Sequence, residues 1–144
     1  MRNTNMGNLY AIVGRPGTGK SAYLNKMKSA FGNAMCLFKG NDYADHDDLL
    51  EQMSSFARND THKIIGIDDY EYKLIEIWGG TVNHPQYMAN LQDLSAFAKA
   101  HHSDLYIAVG LKRSADLETS SPISAQHLRS KAIISETDGI MFLK

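Results

Sequence analysis

A single cysteine, Cys36, leaves no partner for a disulfide within the chain, so the fold has to be held by a packed core rather than by covalent staples. Neither sign of charge prevails. Fifteen Lys and Arg against sixteen Asp and Glu give a formal net charge of -1, which excludes a surface that gathers nucleic acid simply by being basic and leaves a local patch open. No apolar run approaches the roughly 18 residues that a membrane-crossing helix needs. The polar start, Met1 to Asn8, has no apolar signal-peptide core, so the expected setting is the soluble, reducing cytoplasm. The six histidines have no cysteine partners at ligand spacing, and His101 and His102 are adjacent at an expected helix end, where neighbours point apart. No zinc site is expected. There is no internal repeat, low-complexity tract or linker.

What is present is a chain of 144 residues, 43% hydrophobic and 22% charged, enough for one core and too short for two. The reading is one domain over 1–144 with residues 1–8 as a flexible N-terminus. Short apolar runs alternate with segments of helical period, the pattern of a parallel α/β sheet covered on both faces. Five strands are predicted, at Leu9 to Val13, Ala34 to Phe38, Lys63 to Ile67, Leu105 to Val109 and Ile140 to Leu143. Helices are predicted near Lys20 to Ala30, Asp45 to Arg58 and Pro85 to His101, the last with Met88, Leu91, Leu94, Phe97 and Ala98 as its core stripe. Asp45, Asp47 and Asp48 read as acids in a first helical turn, favoured by capping and the helix dipole. Tyr70 to His84 and Lys112 to Gln126 escape the pattern. Both follow the C-terminal end of a strand, the edge where open α/β sheets bind ligands.

Gly14-Arg15-Pro16-Gly17-Thr18-Gly19-Lys20-Ser21 matches G-x-x-x-x-G-K-S/T at every fixed position, after a predicted strand and before a predicted helix. In such a P-loop the backbone N–H groups face the phosphates of ATP, Lys20 reaches the β and γ oxygens, and the Ser21 hydroxyl ligates Mg²⁺. A second site follows an apolar strand, Lys63-Ile64-Ile65-Gly66-Ile67, that ends in Asp68 and Asp69. This is the Walker B arrangement, with Asp68 as the candidate to hold Mg²⁺ through water. Asp69 either orients the attacking water or begins a turn, where Asp is common.

The loop resembles the A-R-P-x-x-G-K-T form of the DnaB family of replicative helicases, in which Arg-Pro precedes the tight turn. His127-Leu128-Arg129-Ser130-Lys131-Ala132-Ile133 and Asp138-Gly139-Ile140-Met141-Phe142-Leu143-Lys144 resemble that family's D-L-R-x-S-G-x-I and A-D-x-I-M-F-x-Y-R segment. Leu91 to Arg113 resembles the helix and strand leading to its S-Q-L-N-R motif, with Ala96-Phe97-Ala98-Lys99 at the helix end. The resemblance runs in order across nearly the whole chain. It implies a three-layer RecA-like P-loop ATPase core with a mostly parallel sheet of about five strands, using ATP and Mg²⁺ in DNA replication or recombination. The implied source is a compact genome such as a phage, and the implied partners are single-stranded DNA and a homo-oligomer or a RecA-like helicase.

The chain also departs from that pattern. Where the family places a water-activating glutamate after the second strand, it reads Phe38-Lys39-Gly40-Asn41-Asp42, leaving Asp42 or Asp69 as substitutes. Val109-Gly110-Leu111-Lys112-Arg113 lacks the glutamine of S-Q-L-N-R. The sequence ends at Lys144, near the family's arginine and before the strands that carry its trans-acting fingers, so hydrolysis in the isolated chain is expected to be slow. The stretch Ser114 to Ser124 holds two acids and no base, poor material for gripping a nucleic-acid backbone. Lys112, Arg113, Arg129 and Lys144 are the candidate DNA or trans contacts, and Lys73 and Trp78 belong to the other expected channel loop. Trp78 either stacks a base or packs beside Ile75 and Ile77. These departures leave a second reading open, that of a nucleotide-dependent adaptor docking on a helicase or other RecA-like partner.

Overall fold

The computed structural model describes residues 7–14, 19–58, 63–79, 82, 85–110, 128 and 130–143. Five strands form one sheet: β1 (Leu9–Val13), β2 (Met35–Phe38), β3 (Ile64–Ile67), β4 (Asp104–Val109) and β5 (Gly139–Phe142). Their order is β2-β3-β4-β1-β5 and every pairing is parallel. Parallel neighbours need crossovers, supplied by α1 (Lys20–Phe31), α2 (His46–Phe56), α3 (Tyr70–Trp78), α4 (Pro85–Ala100) and a short α5 (Ala132–Glu136).

Side chains alternate across the sheet, and this sorts the helices into layers. Leu9, Ala11 and Val13 of β1 join Ile65, Ile67, Leu105, Ile107 and Val109 in a core closed by Leu49 and Met53 of α2, Leu74 of α3, Leu91 and Leu94 of α4, and Ile133 of α5. Ile12, Met35, Ile64 and Ala108 face the other way and are covered by Leu24 of α1. The result is a three-layer α/β fold of the RecA-like P-loop type, with α1 the one helix on that second face among the described residues. Leu24 is fully buried, worth about 1.5–3 kcal/mol in the transfer sense. Gly66 makes that approach possible. A Cβ there would stand 3.0 Å from both Leu37 Cδ1 and Met35 Cε and 3.2 Å from Leu24 Cδ2.

Two expectations need correction. Tyr70 to Trp78, expected as part of an irregular stretch, is the helix α3, closed at Gly79 (φ 85°), whose N–H returns to the Ile75 carbonyl. The core stripe of α4 is Tyr87, Asn90, Leu91, Leu94, Phe97 and Ala98, whereas Met88 is exposed. The missed helix starts at Asp69 in a left-handed conformation with no glycine to mark it, and α4 is rotated so that Tyr87 meets α3. Asp45 caps α2 by accepting the Asp48 N–H at 2.9 Å. Among the described residues no helix is long and apolar enough to cross a membrane.

Candidate functional site

The register puts the ends of the strands on one edge. Val13 pairs with Val109, Ile67 with Ile107, and Phe38 with Ile67. Gly14, Gly110, Asp68 and Lys39 therefore all leave the sheet on the same side, with the tip of β4 between those of β1 and β3. Of the phosphate loop, Gly14, Gly19, Lys20 and Ser21 are described. Arg15, Pro16, Gly17 and Thr18 lie outside the described residues, as do Lys112, Arg113, Arg129 and Lys144.

Gly19 takes φ 93°, a left-handed conformation natural to glycine, and releases the chain straight into α1, whose first bond is Tyr23 N–H to Gly19 O at 2.8 Å. Lys20 reaches back and donates to the Gly14 carbonyl at 2.7 Å, so its ammonium spans the loop that it belongs to. The next residue crosses to the acidic strand. Ser21 Oγ donates to Asp68 Oδ2 at 2.7 Å, although 47 positions separate the two in sequence. Asp68 is 4% exposed, and its other oxygen accepts the Asp69 N–H at 2.9 Å.

This pair is the test for Mg²⁺. The exposed Ser21 hydroxyl and the buried Asp68 carboxylate in contact at the sheet edge are the hard oxygen donors that Mg²⁺ takes, with phosphate and water oxygens completing its shell. The residues fit the ion: Ser21 would hold it directly and Asp68 through water. When bound, Mg²⁺ would neutralise charge on the β and γ phosphate oxygens.

Asp69 is turned differently. Its backbone is left-handed (φ 57°), a conformation that costs a non-glycine residue on the order of 1 kcal/mol, and it starts α3 without a side-chain cap. Its carboxyl is free to face outward. Partial burial, then the neighbouring Asp68, push its pKa above the usual carboxylate value, opposed by Lys39 and Lys20. Raised basicity at an exposed carboxylate beside the loop lysine suits a group that takes or orients a proton. Asp69 also lines a cavity of about 280 Å³ with Lys39, Lys73, Tyr72 and the Gly40–Asn41 turn.

The tip of β2 is built otherwise. Asp42 is exposed on the 3₁₀ turn Gly40–Asp42, and its carboxylate accepts the Lys39 N–H at 2.7 Å. It closes its own turn. Lys73 lies on α3 over the Tyr43 ring (5.7 Å to the centroid), and Trp78 stands edge-on to Tyr87 with ring centroids 6.2 Å apart, packed against the core.

Sequence reading missed Glu71. It is 1% exposed, sits in the first turn of α3, and accepts from Tyr87 Oη at 2.5 Å and from the Gly110 N–H at 3.0 Å. The one local signal was its place three residues after Asp68. Its partners are 16 and 39 positions away.

No family model matches the chain, and no curated protein matches it. Among solved structures it is similar to that of C. elegans PCH-2, with a TM-score of 0.58 and 14% identity over 98% of this chain and 36% of that one. At that identity the likeness concerns the fold alone, and the chain spans about a third of PCH-2.

Proposed function

We propose that the chain binds Mg·ATP and hydrolyses it, as a RecA-like ATPase related to the replicative helicases of the DnaB family, acting in DNA replication or recombination. The observation that carries the nucleotide reading is the 2.7 Å contact between Ser21 and Asp68. It joins the last residue of the phosphate-loop motif to the buried acid on a strand that is not its neighbour in the sheet. In this reading Lys20, which donates to the Gly14 carbonyl in the structure, contacts the phosphates, and Asp69 orients the nucleophile. The helicase kinship rests on the ordered resemblance from Gly14 to Lys144, and single-stranded DNA and a homo-oligomer enter as partners on the same basis.

The tip of β2 favours a second reading, a nucleotide-dependent adaptor docking on a helicase or other RecA-like partner. The stretch Phe38 to Asp42, where the resembled family has a glutamate, offers Asp42 alone as an acid, and that carboxylate accepts the Lys39 N–H within its own turn.

ATP turnover and Mg·ATP binding of wild type and Lys20→Ala, with and without single-stranded DNA and across protein concentrations, test both. Cooperative, DNA-stimulated turnover supports the motor. Binding without turnover under every condition sinks the motor and supports the adaptor. Equal Mg·ATP binding by wild type and Lys20→Ala removes the nucleotide reading itself, because losing a charge-assisted contact to phosphate should weaken binding about 100-fold.

A further inference from the structure

A carboxylate in the core is costly unless hydrogen bonds compensate it, and the bonds of Glu71 go to places of consequence. Its Oε2 accepts from Tyr87 on α4 and its Oε1 from Gly110, the first residue after β4. Glu71 itself is two residues beyond Asp69, in the turn of helix that begins at the left-handed backbone of that aspartate. Gly110 leaves the sheet between the phosphate-loop strand and the acid strand, one residue beyond the Val13–Val109 pair. One side chain therefore ties the acid turn, the α4 layer and the exit of the central strand together.

We propose that Glu71 is a positioning residue that couples the Asp68–Asp69 turn to the backbone leaving β4, so that a change at the nucleotide site is felt where the chain departs toward residues 111–127. Its functional meaning rests on the nucleotide reading above. The physical basis is rigidity. Two acceptor oxygens on one planar group fix the distance between their donors, and α3 carries any shift of the acid turn directly to that group. Gly110, with no side chain of its own to anchor it, takes its position from this bond and from the sheet. Tyr87 holds the carboxylate from the far side and sets where it sits, while the Gly110 bond transmits.

Three variants separate coupling from packing. Glu71→Met keeps the volume and removes both acceptors. Glu71→Gln keeps one acceptor oxygen for Gly110 and an amide that Tyr87 can accept from. Tyr87→Phe removes the α4 bond and leaves the Gly110 bond. The first measurement needs no nucleotide: hydrogen exchange of the Gly110 amide, with and without Asp68→Asn. In wild type and in the Glu71→Gln background, Asp68→Asn should change Gly110 exchange by about tenfold. In the Glu71→Met background the change should vanish, and in Tyr87→Phe it should persist even if stability falls. The second measurement is Mg·ATP affinity against turnover. Glu71→Met should bind within about threefold of wild type and turn over about tenfold more slowly, with Glu71→Gln restoring most of the rate. Gly110 exchange that responds to Asp68→Asn equally in Glu71→Met and wild type overturns the proposal. So do Tyr87→Phe and Glu71→Met behaving alike in both measurements, which marks a packing role only. If no variant, wild type included, binds Mg·ATP, the nucleotide reading fails, and the exchange result still decides the coupling.

Discussion

Two neighbouring parts of the same sheet edge are made in opposite ways. At the tips of β1 and β3 a hydroxyl and a buried carboxylate meet across 47 positions of sequence, and a lysine spans its own loop. At the tip of β2 Lys39, Asn41 and Asp42 are exposed, the leading charge is Lys39, and the Asp42 carboxylate accepts the Lys39 N–H within its own turn. The first region has long-range contacts that place chemical groups against one another. The second has local contacts that shape a turn. On the proposed reading, the first region would hold a phosphate chain and the second would add little, and Asp69 lies between the two, lining a cavity with Lys39.

The contrast can be broken most directly by treating both acids alike. Asp68→Asn removes the charge opposite Ser21 and should lower Mg²⁺-dependent turnover about 100-fold or more, since an oriented charge at a phosphoryl site is worth several kcal/mol. Asp42→Asn should change turnover less than about twofold and cost no more than about 1 kcal/mol of stability, the usual worth of a capping bond. Steady-state ATPase assays over a magnesium titration read both. A loss at Asp42 as deep as that at Asp68 would move the chemistry to the β2 tip and erase the division between the two regions.

A second test comes from beneath the edge. Gly66 lies on β3 opposite Leu37 of β2 and under Leu24 of α1. Its hydrogen faces three side-chain atoms at 3.0–3.2 Å from where a Cβ would sit. Gly66→Ala should therefore overpack the α1 layer and lower unfolding stability by about 1–3 kcal/mol, measured by urea denaturation at unchanged m-value. If it leaves stability unchanged while abolishing nucleotide binding, then α1 is held by the phosphate loop rather than by packing.

How much of this was legible beforehand follows the range of the interactions. β1 was read at Leu9 to Val13 as observed, and the other four strands to within a residue at either end, because buried parallel strands are continuous apolar runs bounded by turns. The Ser21–Asp68 contact was implicit in the pairing of a phosphate loop with an acid at a strand tip. α3 was not read because Asp69 alone makes the strand-to-helix turn, in a left-handed conformation that the sequence marks with no glycine. Glu71 was not read because nothing local says that a glutamate is in the core. The donors that permit it come from α4 and from the end of β4. Met88 was placed in the core by its spacing, but Tyr87 packs there instead, bonded to that same glutamate.

The smallest expected effect is also the one that bears on the residue between the two regions. Asn tolerates the left-handed backbone that Asp69 adopts at least as well as Asp does. Replacing the charge also removes the repulsion from Asp68 that helps to raise the Asp69 pKa. Asp69→Asn should therefore stabilise the nucleotide-free chain slightly, by a few tenths of a kcal/mol once solvent screening of so exposed a group is allowed for. Turnover should fall in the same variant while Mg·ATP affinity holds, since Asn cannot take a proton from the nucleophile. Thermal unfolding and single-turnover hydrolysis on one preparation give both numbers. Lower stability with unchanged turnover would show that Asp69 merely starts α3. The opposite pair of changes is that of a residue whose charge serves the reaction at some cost to the fold.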